Sequence, residues 1–144
     1  MATERRAEVS WQGSLTEGSG TIERVESGAF GPLDVTWSSR AEDPAGRTSP
    51  EELIAAAHAA CFSMALSHGL AEAGTAPEQL DTSAVVTFEP GPGITKIALS
   101  VRARVPGLDE ERFREVAEGA KENCPVSQAL TGVGEITLQA ELES

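Results

Sequence analysis

The chain contains two cysteines, Cys61 and Cys124, whose thiols could act as a redox or nucleophilic pair. Cys61 lies in an alanine-rich run, where a free cysteine commonly acts as a small buried hydrophobe. Cys124 precedes Pro125, which suits the first position of a helix, so Cys124 would stand at the N-cap. Backbone N–H groups near a thiol at that position would lower its pKa. Because the two cysteines are far apart in sequence, their positions alone indicate only a candidate thiol pair.

The charge balance excludes several classes of partner. The 144 residues include 11 Lys and Arg against 23 Asp and Glu, which gives a formal net charge of −12. Proteins that bind nucleic acid need basic side chains that displace counterions from phosphates. We therefore expect neither nucleic acid nor an anionic membrane surface as a partner.

The chain shows no sign of export, of a membrane span or of an internal linker. An apolar stretch typical of a signal peptide is missing near the N-terminus, and no run approaches 18 apolar residues. We therefore expect a cytoplasmic protein that forms a single domain over residues 1–144. In a reducing compartment a purely structural disulfide is disfavoured, so the two thiols favour a redox or catalytic use.

One long helix holds Cys61. Ser49 can cap it, Pro50 suits its first position and Glu52 completes a capping box. The helix should run from Glu51 to Ala73, and Gly74 is a suitable residue to end it. The run is apolar on nearly all faces, so most of its surface must be buried. In a domain of this size, we expect a second subunit to supply part of that cover.

The remaining elements follow from alternation and capping signals. Asp109 caps a second helix, and Pro125 opens a short third one that reaches Leu130. The element order βββ-α-ββ-αα-β indicates an α+β fold with antiparallel sheet. The predicted strands centre on the alternating segments 7–11, 21–26, 33–37, 82–89, 97–105 and 136–140.

Two segments closely resemble the cysteine motifs of the OsmC/Ohr family of peroxidases. The first is SPEELIAAAHAACFSMAL at residues 49–66, and the second is NCPVSQAL at residues 123–130. His58 favours the OsmC branch, because Ohr proteins usually carry an aromatic residue at that position. The resemblance covers essentially the whole chain, and further matching stretches are 94–99, 105–108 and 135–142.

This resemblance implies an OsmC-like fold, an intertwined homodimer and a peroxidase that reduces organic hydroperoxides without cofactor or metal. Cys61 would be the peroxidatic residue that becomes a sulfenic acid, and Cys124 the resolving residue that closes a disulfide. An external dithiol, of lipoyl type in Ohr-like relatives, would restore both thiols. Glu51 matches the glutamate of the family and Arg40 its arginine, with Arg47 as the alternative.

The spacing of these residues indicates how they would cooperate. A nearby guanidinium would keep a buried Cys61 ionised, and Glu51 would hold that guanidinium in place. Ten residues of helix separate Glu51 from Cys61, about 15 Å along the axis, which a glutamate side chain cannot span. We therefore expect Glu51 to serve Cys61 of the partner chain, from long helices packed antiparallel across a two-fold axis.

Other interpretations stay open at this point. His58 could act as a general base or line a pocket or interface, whereas His68 should lie at the surface or take part in packing. A zinc site could combine both histidines with Cys61 and Cys124, although most of the spacing matches no usual zinc pattern. A non-catalytic OsmC-like stress or ligand-binding protein is the second alternative. Three apolar residues would either line a site suited to alkyl peroxides or belong to the core: Leu53, Phe62 and Met64.

Overall fold

The computed structural model describes residues 1–143, which divide into two compact units, one ending at Leu53 and the other beginning at Ile54. The elements are, in chain order, β1 (Ala7–Gln12), β2 (Ser19–Val25), β3 (Leu33–Val35), α1 (Trp37–Ala41), α2 (Pro50–Glu72), β4 (Gln79–Glu89), β5 (Gly93–Arg104), α3 (Glu110–Asn123), α4 (Pro125–Ala129) and β6 (Glu135–Leu142). This mixture confirms the predicted α+β class. That residues 1–144 form one domain stays a prediction.

The first unit is built on a three-stranded antiparallel sheet with the order β1-β2-β3. The prediction that the third strand continues to Trp37 was wrong, because Trp37 begins the short helix α1. Thr36 causes the change: its side chain accepts a hydrogen bond from the Ser39 N–H, and the Ser39 hydroxyl accepts from the Thr36 N–H. This reciprocal cap ends the strand and starts the helix one residue later.

Helix α2 has the bounds that the local signals predict. Pro50 is its first residue, and the Ser49 hydroxyl accepts a hydrogen bond from the Glu52 N–H. The Glu52 carboxylate, however, accepts from the hydroxyl of Thr48, so only one half of the predicted capping box is seen. At the other end Gly74 has a φ of 91°, and the Thr75 N–H bonds to the Leu70 carbonyl, which closes the helix as glycine at that position allows.

The second unit carries a three-stranded sheet with the order β4-β5-β6. Strands β4 and β5 form a long antiparallel hairpin, but β5 and β6 pair in parallel. The prediction of antiparallel sheet was therefore wrong for this pair. The chain leaves β5 and crosses through α3 and α4 before β6, and a crossover of this length is what a parallel pair requires.

The core of the second unit lies where one stripe of α2 meets β5 and α3. Buried residues of α2 recur every four positions, as one face of a helix requires: His58, Phe62, Leu66 and Leu70. They pack with alternate residues of β5 and with one face of α3: Leu99, Val101, Ala103, Phe113, Ala117 and Ala120. This packing fixes the rotation of α2 about its axis, and so determines which of its side chains face α3 and α4.

Most of α2 outside that stripe is not covered within the chain. Of the most apolar 18-residue stretch of α2, only 22% of the residues are buried, and Met64 is 73% exposed. The prediction of a buried helix therefore holds for one face only. By length and composition α2 could cross a membrane, although a core helix of a soluble protein passes the same test. That the chain has no membrane-spanning segment stays a prediction.

Candidate active site

The two thiols meet in the second unit. Cys61 and Cys124 are 63 positions apart, and their sulfur atoms lie 3.0 Å from each other. A disulfide bond is about 2.05 Å long, so the sulfurs need to approach by only about 1 Å to become bonded. Both residues are free cysteines, Cys61 partly buried and Cys124 fully buried. The structure thus places the candidate thiol pair in direct contact.

Cys124 is positioned by the break between α3 and α4. A residue before proline is pushed out of the helical conformation, and Cys124 has φ −59° and ψ 121°. Its N–H still bonds to the Ala120 carbonyl, so it ends α3, and Pro125 then opens α4. The predicted N-cap position is confirmed. The sulfur makes no full capping hydrogen bond, but the N–H groups of Ser127 and Val126 help to stabilise its thiolate.

The two thiols differ in acidity. Burial raises the pKa of the Cys61 thiol, and its contact with Cys124 raises it further, against a smaller opposing effect from the backbone of Val126. Burial also acts to raise the pKa of Cys124, but hydrogen bonds from Cys61, from the backbone and hydroxyl of Ser127, and from the Val126 backbone lower it overall. At 3.0 Å either thiol can donate to the other. When one of the two protons is lost, the lower pKa of Cys124 favours its thiolate as the acceptor of a hydrogen bond from Cys61.

The arginine and glutamate predicted for the site meet in the first unit. Arg40 Nη2 lies 2.8 Å from Glu51 Oε2, and Arg40 Nε lies 3.0 and 3.1 Å from the two carboxylate oxygens. Glu51 is buried, with 6% of its surface exposed, so its charge depends on this bidentate partner. The alternative arginine, Arg47, is exposed in the loop before α2. Arg40 is thus the arginine that pairs with Glu51.

Local hydrogen bonds hold Arg40 in place. Arg40 lies in the last turn of α1, directly after Ser39. The Ser39 hydroxyl oxygen lies 3.0 Å from the Thr36 carbonyl oxygen and 2.8 Å from that of Thr48, and it can donate its single proton to one of them at a time. The contact with Thr48 ties α1 to the segment that leads into α2, where Glu51 lies in the first turn. A five-residue helix is therefore fixed at both sides, which reduces the entropy lost when the guanidinium is held in one geometry.

An apolar cavity of about 310 Å³ adjoins Arg40 within the first unit. Arg40 supplies a charged group at a wall that is otherwise mainly aliphatic and aromatic. Leu53, one of the three apolar residues singled out from the sequence, lines this cavity. The other apolar side chains around it are Val9, Trp11, Leu15, Ile22, Val35, Trp37 and Pro50.

The remaining candidates have different surroundings. Phe62 belongs to the core of the second unit, and Met64 is exposed. His68 is exposed near Glu72, so of its two predicted positions, surface or packing, the structure shows the surface one. His58 is fully buried, and its Nε2 lies 2.7 Å from the Ser127 hydroxyl oxygen. Burial lowers the pKa of His58, so its imidazole is neutral at neutral pH.

Ser127 is the residue that the sequence analysis missed. Its hydroxyl lies 2.7 Å from His58 Nε2, and its backbone and hydroxyl act to lower the pKa of Cys124. A serine two residues after a proline carries no chemical signal by itself. The zinc alternative lacks a ligand set, because the described part of the chain contains no group of three His, Cys, Asp or Glu side chains that could hold a metal. His68, one of its four proposed ligands, lies instead beside Glu72.

The fold and these contacts define a small α+β dithiol protein, in which a helical cysteine touches a second cysteine at a helix break. A family model described as OsmC-like protein matches residues 42–139. Peroxiredoxin OsmC of Escherichia coli strain K12 is 44% identical over 147 residues and covers the full length of both chains. The chain therefore belongs to the OsmC-like family.

Solved structures agree with this assignment. The organic hydroperoxide resistance protein OhrB of Bacillus subtilis matches with 27% identity and a TM-score of 0.62, over 96% of this chain and 98% of that chain. An OsmC-like protein of unknown function from Vibrio cholerae matches with a TM-score of 0.73 over 96% of this chain and 99% of that chain. Its identity is 18%, so it supports the fold alone.

Proposed function

We propose that this chain is a thiol-dependent peroxidase that reduces organic hydroperoxides to alcohols through Cys61 and Cys124. The observation that carries the proposal is the 3.0 Å contact between two free thiols that are remote in sequence. The family supports it, because relatives bear the names peroxiredoxin and organic hydroperoxide resistance protein. A peroxiredoxin-type role follows at the coarse level, and the steps below are the finer proposal.

The thiol pair can complete the chemistry once it has lost one of its two protons to solvent and shares the other. When that proton moves to Cys124, the Cys61 thiolate attacks the terminal oxygen of the hydroperoxide and the O–O bond breaks. The leaving alkoxide takes the proton from Cys124 and departs as the alcohol. Cys61 is then a sulfenic acid and Cys124 a thiolate. The thiolate attacks the Cys61 sulfur, the S–O bond breaks, and the departing hydroxide takes up a proton as water.

The first step needs a cation that this pair lacks. Burial raises the pKa of Cys61, which is unfavourable for a nucleophile that must be ionised. The Arg40 guanidinium, held by Glu51, is the group suited to reverse this. Since Glu51 and Cys61 are ten positions apart in α2, a partner chain is the proposed source of the pair. Each active site would then combine the thiols of one chain with Arg40 and Glu51 of the other.

The surface of α2 supports a homodimer. Its apolar residues outside the core stripe need cover, and an exposed apolar patch of this kind marks an interface. Its exposed members are Ala56, Ala57, Ala60, Met64 and Ala71. A second copy is the occupant that also completes the site described above. Met64→Glu should shift the sedimentation profile from dimer to monomer, while Arg112→Glu on the exposed side of α3 should not.

The cavity beside Arg40 supports organic rather than hydrogen peroxide as substrate. An alkyl or aryl group can fill an apolar space of about 310 Å³, and the guanidinium can hold the peroxide oxygens. Hydrogen peroxide has no apolar group whose burial in this cavity would favour binding. The proposed reductant is a small or protein-bound dithiol of lipoyl type, and the proposed location is the cytoplasm.

Steady-state turnover tests this function. The wild-type protein is assayed with an organic hydroperoxide and with hydrogen peroxide, each with a dihydrolipoyl and a thioredoxin-type donor. We expect the highest kcat/KM with the organic substrate and the dihydrolipoyl donor, and no turnover by Cys61→Ser. A wild-type protein that consumes neither peroxide with either donor would refute the proposal and favour the non-catalytic alternative.

A further inference from the structure

A chain of buried polar groups leads away from Cys124 into the core of the second unit. Ser127 is the third residue of helix α4, which Cys124 caps, and its hydroxyl acts to lower the pKa of Cys124. The hydroxyl oxygen lies 2.7 Å from His58 Nε2. His58 is fully buried, and Ser127 is 7% exposed. The peroxidase steps above assign no role to either residue. A buried histidine and a buried serine at such a short distance, 69 positions apart, therefore need an explanation.

The direction of these hydrogen bonds depends on the tautomer of His58. A serine hydroxyl has one proton, so Ser127 can donate either to His58 or to Cys124 but not to both. If His58 carries its proton on Nε2, it donates to Ser127, and the hydroxyl proton points to the sulfur. If the proton is on Nδ1, Ser127 donates to Nε2 instead. The sulfur then loses its hydroxyl donor.

The surroundings of the imidazole favour the first tautomer. Among the described residues, no hydrogen-bond partner is found for the buried His58 Nδ1. An orphaned buried N–H is rarer in proteins than an orphaned acceptor. The proton therefore belongs on Nε2, the nitrogen that has a partner, and Nδ1 carries the lone pair.

We propose that His58 and Ser127 are positioning residues for the resolving thiol: His58, as the Nε2–H tautomer, directs the single hydroxyl proton of Ser127 to the sulfur of Cys124. The inference rests on the proposed function, because it concerns the residue that closes the disulfide. Ser127 stabilises the Cys124 thiolate before that thiolate attacks the Cys61 sulfenic acid. Neither His58 nor Ser127 gains or loses a proton in the step.

The proposed hydrogen bond from the Ser127 hydroxyl differs in its effect from those of the other groups near Cys124. Helix α2 presents the Cys61 thiol, α3 presents the carbonyl of Ala120, and α4 presents the backbone N–H groups of Val126 and Ser127. The titratable groups in this set are Cys61 and, one hydrogen bond further, His58. When Cys61 becomes a sulfenic acid, its thiol can no longer donate as before, so the Ser127 hydroxyl carries more of the stabilisation.

The tautomer of His58 can be measured directly, without any peroxide. The chain has two histidines, and the second, His68, is exposed. Two-bond ¹⁵N–¹H correlation spectra of the reduced protein, with His68→Gln as the assignment control, should show a neutral Nε2–H tautomer for His58 at neutral pH. An Nδ1–H tautomer or an imidazolium would overturn the proposal.

The thiolate of Cys124 can be titrated by ultraviolet absorbance in the Cys61→Ser background. Cys124 is then the only cysteine, and the chain has no tyrosine whose ionisation would interfere. Adding Ser127→Ala should move the midpoint to higher pH and leave about tenfold less thiolate at a pH below both midpoints. Adding His58→Leu should move it the same way by less, because the hydroxyl loses its orientation but not its proton.

His58→Gln separates orientation from acid–base chemistry, since the amide N–H of glutamine can replace Nε2–H but cannot titrate. In the Cys61→Ser background, we expect His58→Gln to leave the midpoint of the Cys124 titration unchanged. An unchanged midpoint with Ser127→Ala, or equal shifts for glutamine and leucine at position 58, would refute the inference. Far-ultraviolet circular dichroism of each variant confirms that the helices are retained.

In the catalytic protein, stopped reactions with one equivalent of hydroperoxide measure the ratio of disulfide closure to Cys61 oxidation. Ser127→Ala should lower this ratio about tenfold at neutral pH. As the pH rises and more Cys124 is ionised, the ratio of the variant should return to the wild-type value. A ratio independent of pH would contradict the inference. If the wild type fails to oxidise at all, the proposed function is wrong, whereas the tautomer and the titration still decide the role of His58 and Ser127.

Discussion

Removal of the Arg40 guanidinium should destabilise the first unit more than removal of both members of its ion pair. Arg40→Met deletes the charge but keeps much of the apolar length of the side chain. Glu51 then keeps a carboxylate that is 7% exposed and has lost three N–O contacts of 2.8 to 3.1 Å. An uncompensated buried charge is more costly than a neutral group of the same shape.

The burial of the pair sets the expected magnitude. Breaking a fully buried ion pair costs about 3–5 kcal/mol. The Arg40 side chain is 32% exposed, so water can partly replace it, and we expect a loss of about 2–3 kcal/mol in the free energy of unfolding. The double variant Arg40→Met, Glu51→Gln removes the stranded charge, so its loss should be only about 1 kcal/mol. The double variant should therefore be more stable than Arg40→Met alone by about 1–2 kcal/mol.

Urea unfolding followed by tryptophan fluorescence is the assay. Both tryptophans of the chain, Trp11 and Trp37, lie in the first unit and line the cavity beside Arg40, so the signal reports on this region. Protein concentration is kept constant, because assembly would shift the midpoint. Arg47→Met in the exposed loop is the matched control and should change stability by less than about 0.5 kcal/mol.

Two outcomes would contradict this reasoning. Arg40→Met could unfold at the same urea concentration as Arg47→Met, which would mean that the ion pair contributes nothing measurable. Alternatively, the double variant could be at least as unstable as Arg40→Met alone. The stranded carboxylate would then not be the cause of the loss.

Further predictions concern the thiols, the buried histidine and the core. Cys124→Ser treated with one equivalent of organic hydroperoxide should keep an added oxygen at Cys61, whereas the wild type should lose two hydrogens as a disulfide; intact-mass spectrometry distinguishes them. Burial lowers the pKa of His58 below its usual 6.5, so below that pH the unfolded state binds more protons than the folded state. The free energy of unfolding should therefore fall on acidification by up to about 1.4 kcal/mol per pH unit. His58→Gln should lose this part of the slope in urea midpoints between about pH 5 and 7. Leu70→Ala should cost about 3 kcal/mol in unfolding free energy.

The sequence determined the features that depend on neighbouring residues. Ser49, Pro50 and Gly74 predict both ends of α2, and the Asn-Cys-Pro segment predicts the helix break that positions Cys124. The two motifs also indicated the family and three of the four candidate residues, whereas Arg40 lies outside both motifs. These signals are local because caps, proline and glycine act on the backbone within one turn.

Only the tertiary structure decided which distant groups touch. The 3.0 Å contact of the thiols, the parallel pairing of β5 with β6 and the link from His58 to Ser127 all join segments that are remote in the chain. A single sequence contains no periodicity that reports such contacts, because they are set by how the buried stripe of α2 packs against β5 and α3. Side-chain packing fixes the rotation of that helix, and this rotation brings Cys61 and His58 to the turn between α3 and α4.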